Sequence, residues 1–180
     1  MNLLFVTGNE NKLKEASDIL GFSVEGVSIE LPEIQDIEVD KIIESKVRSA
    51  YEKIKKPIIV EDTGLYFEYM NGFPGALIKW MIKSIGDKGI SNLLNLFENK
   101  KAYAKTSIGY FNGNEFKLFN GTIRGKISEI PKGKNGFGWD TIFIPDGFEK
   151  TFAEMTNEEK NKLSMRKIAF EKLKKFLDRN

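Results

Sequence analysis

The stretch "LLFVTGNENK", residues 3–12, decides the fold class of this sequence. Its apolar and β-branched beginning predicts a buried strand that stops at Gly8. A helix is expected from Glu10 and ends before Gly21, a residue typical of the position just beyond a helix C-terminus. The apolar residues of this helix recur at helical spacing: Leu13, Ala16, Ile19 and Leu20. A strand, a tight turn and a helix in this order indicate an α/β fold.

The rest of the chain continues to alternate strands and helices. An apolar face predicts a helix over residues 40–55, and the run "PIIVED" after it predicts a short buried strand that gives way to a Gly turn. Two short helices, 77–85 and 89–97, are expected on either side of "GDKG". Alternation on both sides of "NGN" predicts a hairpin of two long strands over residues 102–127.

Three further elements complete this prediction. Strands are expected at "SVEGVSIEL", residues 23–31, and at "TIFIP", residues 141–145. A last helix is expected to end near Leu177. Thr156 followed by Glu159 has the spacing of a capping box at a helix N-terminus.

Composition narrows the possible chemistry. The 28 Lys and Arg residues exceed the 26 Asp and Glu residues by only two charges, which argues against general nucleic-acid binding. The sequence has no Cys and no His, so thiolate nucleophiles, imidazole bases, disulfides and most zinc sites are excluded. Catalysis would have to use carboxylates, Lys, Arg, hydroxyls and a hard metal ion. The length suits a single domain over residues 1–180.

The sequence also bears on location. "MNLLFVTGNENK" has no basic segment ahead of its short apolar run, unlike a secretory signal, and no stretch has the length and apolarity of a membrane span. We therefore expect a cytoplasmic protein without membrane contacts.

The turn "TGNENK" is a candidate phosphate site. A turn between a strand and a helix directs free backbone N–H groups and the positive end of the helix at one point. Thr7 and Asn9 lie in that turn, and Lys12 lies about one turn into the helix. The segment lacks the G-K-[ST] of a P-loop. The alternative is a tight turn with an Asn cap and a solvated Lys.

Two acidic clusters are candidate magnesium ligands. Glu33 lies in "LPEIQD", and Glu61 and Asp62 lie in "VEDTG", where a strand is predicted to end. Ligands of open α/β sheets bind beyond the carboxyl ends of strands. Mg²⁺ takes one or two carboxylates and completes its coordination with water and substrate phosphate. The alternative is a pair of solvent-facing charge clusters.

Scattered cations could neutralise a triphosphate. The candidates are Lys46 on the predicted helix 40–55, Lys79 after "GFPGALI", Lys160, and Arg166 after Ser164. A polyphosphate needs several cations close by, because each charge pair contributes only about 4 kcal/mol at 4 Å and an effective dielectric constant near 20. The alternative is that each of these residues is an ordinary charged residue of the protein surface.

The segment "FGWD", residues 137–140, is a candidate base site. Phe137 and Trp139 could stack on a base, and the glycines around them would let the backbone approach a flat ligand. Asp140 accepts hydrogen bonds only, so it could test for a ring N–H donor. The alternative is that both aromatic rings fill the core beneath a loop.

Taken together, these segments resemble the inosine/xanthosine triphosphate pyrophosphatase family, from about Leu3 to Phe170. The resemblance implies hydrolysis of non-standard purine nucleoside triphosphates to the monophosphate and pyrophosphate, with Mg²⁺. It also implies a mixed, twisted sheet with flanking helices, two lobes around a deep central substrate cleft, and a homodimer. The segments that carry it, in chain order, are "TGNENK", "LPEIQ", "VEDTGL", "GFPGALIKW", "FGWDTIFIPDG" and "TFAEMTNEEKNKLSMR".

The resemblance also assigns roles to residues. Thr7, Asn9 and Lys12 would hold phosphates, with Lys46 and Lys79 along the triphosphate, while Glu33 and Asp62 would bind Mg²⁺. The base pocket would be lined by Phe137, Trp139, Asp140, Lys160, Ser164 and Arg166.

Catalysis is expected to depend on the acidic group. We expect Asp62 to act as the general base or to organise it, together with Glu33 and Lys46, and Glu61 to support it. In one respect the chain departs from the family, which usually has Ser-His-Arg where this sequence has Ser164, Met165 and Arg166. A thioether cannot donate a hydrogen bond as an imidazole can.

Two other functions remain open at this point. A Maf-like nucleotide pyrophosphatase would share the general architecture and favour modified pyrimidine nucleotides. A non-catalytic nucleotide- or RNA-binding module would use "FGWD" and the lysines alone. The acidic clusters argue against such a module, because carboxylates repel phosphates unless a metal ion lies between them.

Overall fold

The computed structural model describes residues 3–179 and contains a seven-stranded mixed sheet with helices beside it. Short 3₁₀ turns lie at Glu68–Met70 and Phe152–Glu154. The strands are β1 (Leu4–Val6), β2 (Glu25–Val27), β3 (Ile58–Phe67), β4 (Pro74–Gly75), β5 (Lys101–Phe111), β6 (Phe116–Ile127) and β7 (Phe143–Pro145). The helices are α1 (Glu10–Leu20), α2 (Val39–Ile54), α3 (Ile78–Leu94), α4 (Asn157–Leu163) and α5 (Met165–Leu177).

The sheet has a parallel half and an antiparallel half. Its strand order is β2-β1-β3-β5-β6-β7, and β4 pairs with β3. β1 pairs in parallel with β2 and β3, whereas the pairs β3–β5, β5–β6 and β6–β7 are antiparallel. The mixed sheet with flanking helices is therefore confirmed. The single domain and the two lobes around a cleft stay predictions.

Several predicted boundaries are confirmed. The first helix runs from Glu10 to Leu20, and Gly21 ends it in the left-handed conformation with φ 78°. Thr156 and Glu159 form the capping box of α4. α3 is interrupted at Gly86, whose φ of 68° and ψ of 170° separate two helical parts, as "GDKG" predicted.

The predicted lengths of two strands were wrong. The segment 57–62 was expected to end in a Gly turn, but β3 continues to Phe67 because β5 pairs with it along its full length. Position 64 lies inside this strand, and a glycine is needed there because a Cβ would come within 2.9 Å of the backbone of Gly75. The strand expected over residues 23–31 is only Glu25–Val27, the part that pairs with β1.

The unequal lengths of β1 and β3 open the edge of the sheet. β1 pairs only with Ile58–Val60 of β3, and after Val6 the chain turns away into α1. Among the described strands, β3 therefore has no partner on the side of β1 between Glu61 and Gly64; β4 pairs with it at Leu65 and Tyr66. Glu61 and Asp62, the acidic pair, lie just beyond the level at which β1 ends, although β3 itself continues.

The helices cover both faces of the sheet. Phe5 and Ile59 pack with residues of α1 and α5, whereas Leu4 and Ile58 pack with residues of α2. This division follows from the alternation of side chains along a strand. None of the helices of residues 3–179 combines the length and the apolar character of a membrane span.

The start of α5 packs directly against β6 at Gly121. A Cβ on Gly121 would lie 1.9 Å from the carbonyl oxygen of Met165 and 2.8 Å from the nitrogen of Ala169. Both are backbone atoms, so no side chain can move to make room. The missing side chain therefore lets the first turns of α5, which carry Arg166, reach the sheet.

We predict that Gly121→Ala lowers the free energy of unfolding by about 1–3 kcal/mol or more, because it overpacks this contact. Urea unfolding measures the change. Gly26→Ala in β2 is the matched control, because its new Cβ would meet only the end of the Leu13 side chain. Equal losses in the two variants would contradict this account of Gly121.

Candidate active site

The structure gathers the predicted residues around one cavity of about 530 Å³. Its walls come from the end of β1, the start of α1, β3, α3, the loop before β7 and the start of α5. Ser164 does not line it; it is buried, and its Oγ accepts the N–H of Lys167 to cap α5. The predicted residues that line the cavity are Thr7, Asn9, Lys12, Glu33, Lys46, Asp62, Lys79, Phe137, Trp139, Asp140, Lys160 and Arg166.

The turn after β1 is fixed by its own side chains. Asn9 Oδ1 accepts the N–H groups of Asn11 and Lys12 at 3.0 and 3.3 Å, and Thr7 Oγ1 accepts the N–H of Asn9 at 3.1 Å. These bonds orient the first turn of α1 toward the cavity. The predicted Asn cap is therefore present, but Lys12 is not a solvated side chain.

Lys12 reaches across to β3. Its Nζ lies 3.4 Å from Glu61 Oε2, 3.5 Å from Asp62 Oδ1 and 3.5 Å from the Glu61 carbonyl oxygen. Burial disfavours the charged form of Lys12, but Glu61 and Asp62 outweigh it and raise the pKa above its ordinary value. Lys12 is therefore a fixed ammonium group with three long contacts.

Glu61 is the most enclosed carboxylate of the site. Its side chain has no exposed surface, and its Oε1 accepts the Thr63 hydroxyl at 2.7 Å and Arg166 Nη2 at 3.3 Å. The Thr63 hydroxyl in turn contacts that of Thr106 at 2.7 Å. Burial opposes ionisation, but Arg166, Lys12 and Thr63 together lower the pKa of Glu61 to about 2. Glu61 is therefore an anion at any physiological pH.

Glu15 connects the two cations of the predicted base pocket. It accepts a short hydrogen bond from Arg166 Nη1, and its Oε1 lies 3.2 Å from Lys160 Nζ. Lys160 also donates to Asp140 Oδ2 at 2.8 Å. Sequence reasoning missed Glu15, although it follows Lys12 by three residues and so shares its helix face.

These contacts form one row of seven charges of alternating sign, which we call the charge chain. Each member lies within ion-pair distance of the next, from Asp62 in β3 to the "FGWD" loop. The order is Asp62, Lys12, Glu61, Arg166, Glu15, Lys160 and Asp140.

The two aromatic residues of "FGWD" have different surroundings. Phe137 is half-buried, with Lys160 Nζ 4.8 Å and Arg166 Cζ 5.5 Å from its ring centroid. Trp139 is 8% exposed and packs edge-to-face on Phe143, with ring centroids 5.5 Å apart and an interplanar angle of 77°. Trp139 is thus a core residue that also borders the cavity.

Asp140 is committed within its own loop. Its Oδ2 accepts the N–H of Phe137 at 2.8 Å as well as Lys160 Nζ. Burial raises the pKa of Asp140 and outweighs the opposing charge of Lys160. Oδ2 therefore holds the loop closed, which leaves Oδ1 as the oxygen that a ligand could address.

Glu33 and Lys46 form an ion pair on the other wall. Glu33 Oε1 lies 2.7 Å from Lys46 Nζ. Burial opposes ionisation of Glu33, but the hydrogen bond and charge of Lys46 outweigh it and lower the pKa. Lys79 and Lys12 also attract this carboxylate, whereas the Lys79 side chain itself is exposed.

The donor set fits Mg²⁺. Residues 3–179 contain no cluster of three or more Asp or Glu residues arranged for a metal ion, but Mg²⁺ requires only one or two carboxylates. Asp62 Oδ1 accepts the N–H of Thr63 at 2.8 Å, and Glu33 Oε1 is paired with Lys46. The second oxygen of each carboxylate has no hydrogen-bond partner in the described part of the chain. Two hard oxygen atoms are thus available at the cavity.

Comparison with known proteins identifies relatives of nearly full length. The family model described as the Ham1 family matches residues 3–176. The inosine triphosphate pyrophosphatase of Schizosaccharomyces pombe is 41% identical over 181 residues, a match that covers 98% of this chain and 95% of that protein. The dITP/XTP pyrophosphatase of Methanopyrus kandleri is 42% identical over 184 residues, with coverage of 100% and 98%.

Solved structures agree with the fold. The HAM1 protein of Coxiella burnetii superposes with a TM-score of 0.85 at 24% identity and full coverage of both chains. The nucleoside-triphosphatase, or dITP/XTP pyrophosphatase, of Mycobacterium abscessus superposes with a TM-score of 0.72 at 31% identity, with coverage of 96% and 98%. The family model, the full-length relatives and the shared fold lead to one conclusion: this chain is a member of the Ham1 family.

Proposed function

We propose that this protein is a nucleoside triphosphate pyrophosphohydrolase that converts ITP, dITP and XTP to the monophosphate and pyrophosphate, and so removes them from the nucleotide pool. The observation that carries the proposal is the charge chain, which joins a phosphate-binding turn at one end to a polar, aromatic pocket at the other. The relatives of nearly full length support it, since they are named inosine triphosphate and dITP/XTP pyrophosphatases.

The substrate would lie along the cavity in one direction. Its phosphates would bind at the start of α1, where Thr7, Asn9 and Lys12 are fixed, with Lys46 and Lys79 beside them. Its base would lie near Phe137 and the buried end of the cavity. Lys12 would contact the phosphates without leaving the helix end, whose dipole also favours anions.

Asp62 is the proposed general base. When bound by Asp62 and Glu33, Mg²⁺ would supply charge neutralisation for the phosphates. Asp62 would take the proton of the water that attacks the α-phosphorus through an oxygen lone pair that Mg²⁺ does not occupy, and Lys46 and Lys79 would neutralise the pyrophosphate that leaves. Glu33 would orient Lys46 through its ion pair.

Base selectivity would come from the donor and acceptor pattern of the purine edge. Hypoxanthine and xanthine present O6 as an acceptor and N1–H as a donor, and adenine reverses both. Arg166 Nε is a buried donor without a hydrogen-bond partner among residues 3–179, which supports a role in binding O6. Asp140 Oδ1 would accept N1–H. Adenine would leave these groups unpaired, a penalty that can reach about 10⁴- to 10⁵-fold.

We further propose that the protein forms a homodimer, as the family resemblance implies, and that it acts in the cytoplasm. Neither alternative function is favoured, because the full-length relatives are named as inosine triphosphate and dITP/XTP pyrophosphatases. A pyrimidine preference would point instead to the Maf-like class.

We predict metal-dependent pyrophosphate release that is fastest with ITP and XTP, slower with GTP and slowest with ATP and TTP. Guanine shares O6 and N1–H with hypoxanthine and differs from it only in the 2-amino group. Burying that amino group without a hydrogen-bond partner costs about 1–3 kcal/mol, and this cost is the source of discrimination against GTP. A coupled pyrophosphate assay with these five nucleotides and a metal-free control tests this order. A GTP rate below the ATP rate contradicts the proposed base recognition, and no release from any nucleotide contradicts the enzyme assignment.

We predict that Asp62→Asn lowers kcat for ITP by about 10²- to 10⁴-fold, the usual contribution of a general base. The measurement is initial rates at saturating ITP and Mg²⁺. Asp146→Asn, at an exposed position outside the cavity, is the matched control and should retain wild-type turnover. Near-normal turnover of Asp62→Asn would rule out the general-base assignment.

We predict that truncation of Phe137 affects substrate binding, whereas truncation of Trp139 affects stability. Phe137→Ala should raise KM for ITP by roughly tenfold, through lost stacking, with little change in stability. Trp139→Ala should lower the free energy of unfolding by about 3–5 kcal/mol, because Trp139 packs in the core. Steady-state kinetics and urea unfolding of both variants test the assignment, which fails if Trp139→Ala leaves stability unchanged.

A further inference from the structure

We propose that Glu61 is a positioning residue that holds the base-reading Arg166 and the phosphate-binding Lys12 at one separation, and that it thereby determines base discrimination. The inference deepens the proposed function and rests on it for the roles of these two cations. Glu61 itself would touch neither the base nor the reacting phosphorus.

The two oxygens of Glu61 are divided between the two ends of the site. Oε1 lies 3.3 Å from Arg166 Nη2, and Oε2 lies 3.4 Å from Lys12 Nζ. Within residues 3–179, Oε2 accepts no well-formed hydrogen bond, and its contact is the ion pair with Lys12. One carboxylate therefore neutralises both cations, and it is the only anion of the charge chain that contacts both of them.

Two threonine hydroxyl groups also help to fix the Glu61 carboxylate. The Thr63 hydroxyl donates to Oε1 at 2.7 Å and is itself in contact with the buried Thr106 hydroxyl. Glu61 lies in β3, opposite Ile108 of β5. A central strand and two hydroxyl groups thus fix its position independently of any substrate.

Loss of the Glu61 charge would affect the two cations differently. Lys12 would keep Asp62, and Arg166 would keep Glu15. Without an anion between them, the two cations would repel each other, and Arg166 would move toward Glu15. The base pocket would then lose its donor geometry, while the phosphate site would gain net positive charge.

The test is Glu61→Gln, studied by calorimetric binding of IMP, AMP and tripolyphosphate in buffer that contains EDTA. We expect the IMP-to-AMP affinity ratio to fall about tenfold, the usual effect of one charge-assisted contact. We expect tripolyphosphate to bind at least as tightly as to the wild type. The ratio of kcat/KM for ITP over ATP, measured with Mg²⁺, should fall in parallel.

Glu44→Gln is the matched control. It removes one carboxylate from the exposed surface, where Glu44 pairs with Arg48, and changes the net charge equally. It should leave both ratios unchanged. If Glu61→Gln does not fold, Thr63→Val removes the hydroxyl that orients Glu61 while its charge remains, and it should lower the IMP-to-AMP ratio by a smaller factor.

If Glu61 served stability alone, Glu61→Gln would weaken the binding of IMP, AMP and tripolyphosphate by the same factor. The IMP-to-AMP affinity ratio would then equal that of the wild type, and this result overturns the inference. A wild-type ratio near one overturns it too, because no discrimination would exist. The proposed function fails separately, if the wild type releases no pyrophosphate from ITP; the binding ratios of the variants still test Glu61 in that case.

Discussion

A carboxylate without any exposed surface lies between two cations, and the rest of the site depends on that arrangement. Ionising Glu61 in the interior is unfavourable by itself, and so is burying Arg166. Each charge offsets the free-energy cost of burying the other. The alternation of charges continues through Glu15 to Lys160 and Asp140. Because every charge compensates its neighbours, removal of any member weakens the compensation of the charges beside it. The charges are therefore arranged before a ligand arrives.

The sheet supplies the space for this row of charges. Parallel pairing ends at Val6 and Val60, while β3 continues along β5 for seven further residues, from Glu61 to Phe67. At that point, Lys12 of α1 and Arg166 of α5 both contact Glu61 of β3. Gly121 of β6 permits the close packing of α5, because any larger residue would displace the helix that carries Arg166. A local difference in strand length thus becomes a ligand cavity.

Local patterns predicted much of this arrangement from the sequence. The turn after β1, the Asn9 cap and the break at Gly86 depend on residues that are neighbours in the chain, and they are where the patterns placed them. The length of β3 could not be predicted, because it depends on pairing with β5, which is distant in sequence. Glu15 was missed for the same reason: its partners Arg166 and Lys160 come from the other end of the chain.

Next to the buried guanidinium of Arg166 the chain has a methionine, Met165. Met165 is 2% exposed and packs among apolar residues, so it contributes shape to the cavity and no hydrogen bond. Arg166 uses Nη1 for Glu15 and Nη2 for Glu61, which leaves Nε as a buried donor without a partner in residues 3–179. An unpaired buried donor costs about 1–3 kcal/mol. A ligand with an acceptor at that position recovers this free energy, whereas a ligand with an amino group there does not. The same ion pairs that hold Arg166 in place therefore also fix the direction of its unpaired Nε–H group.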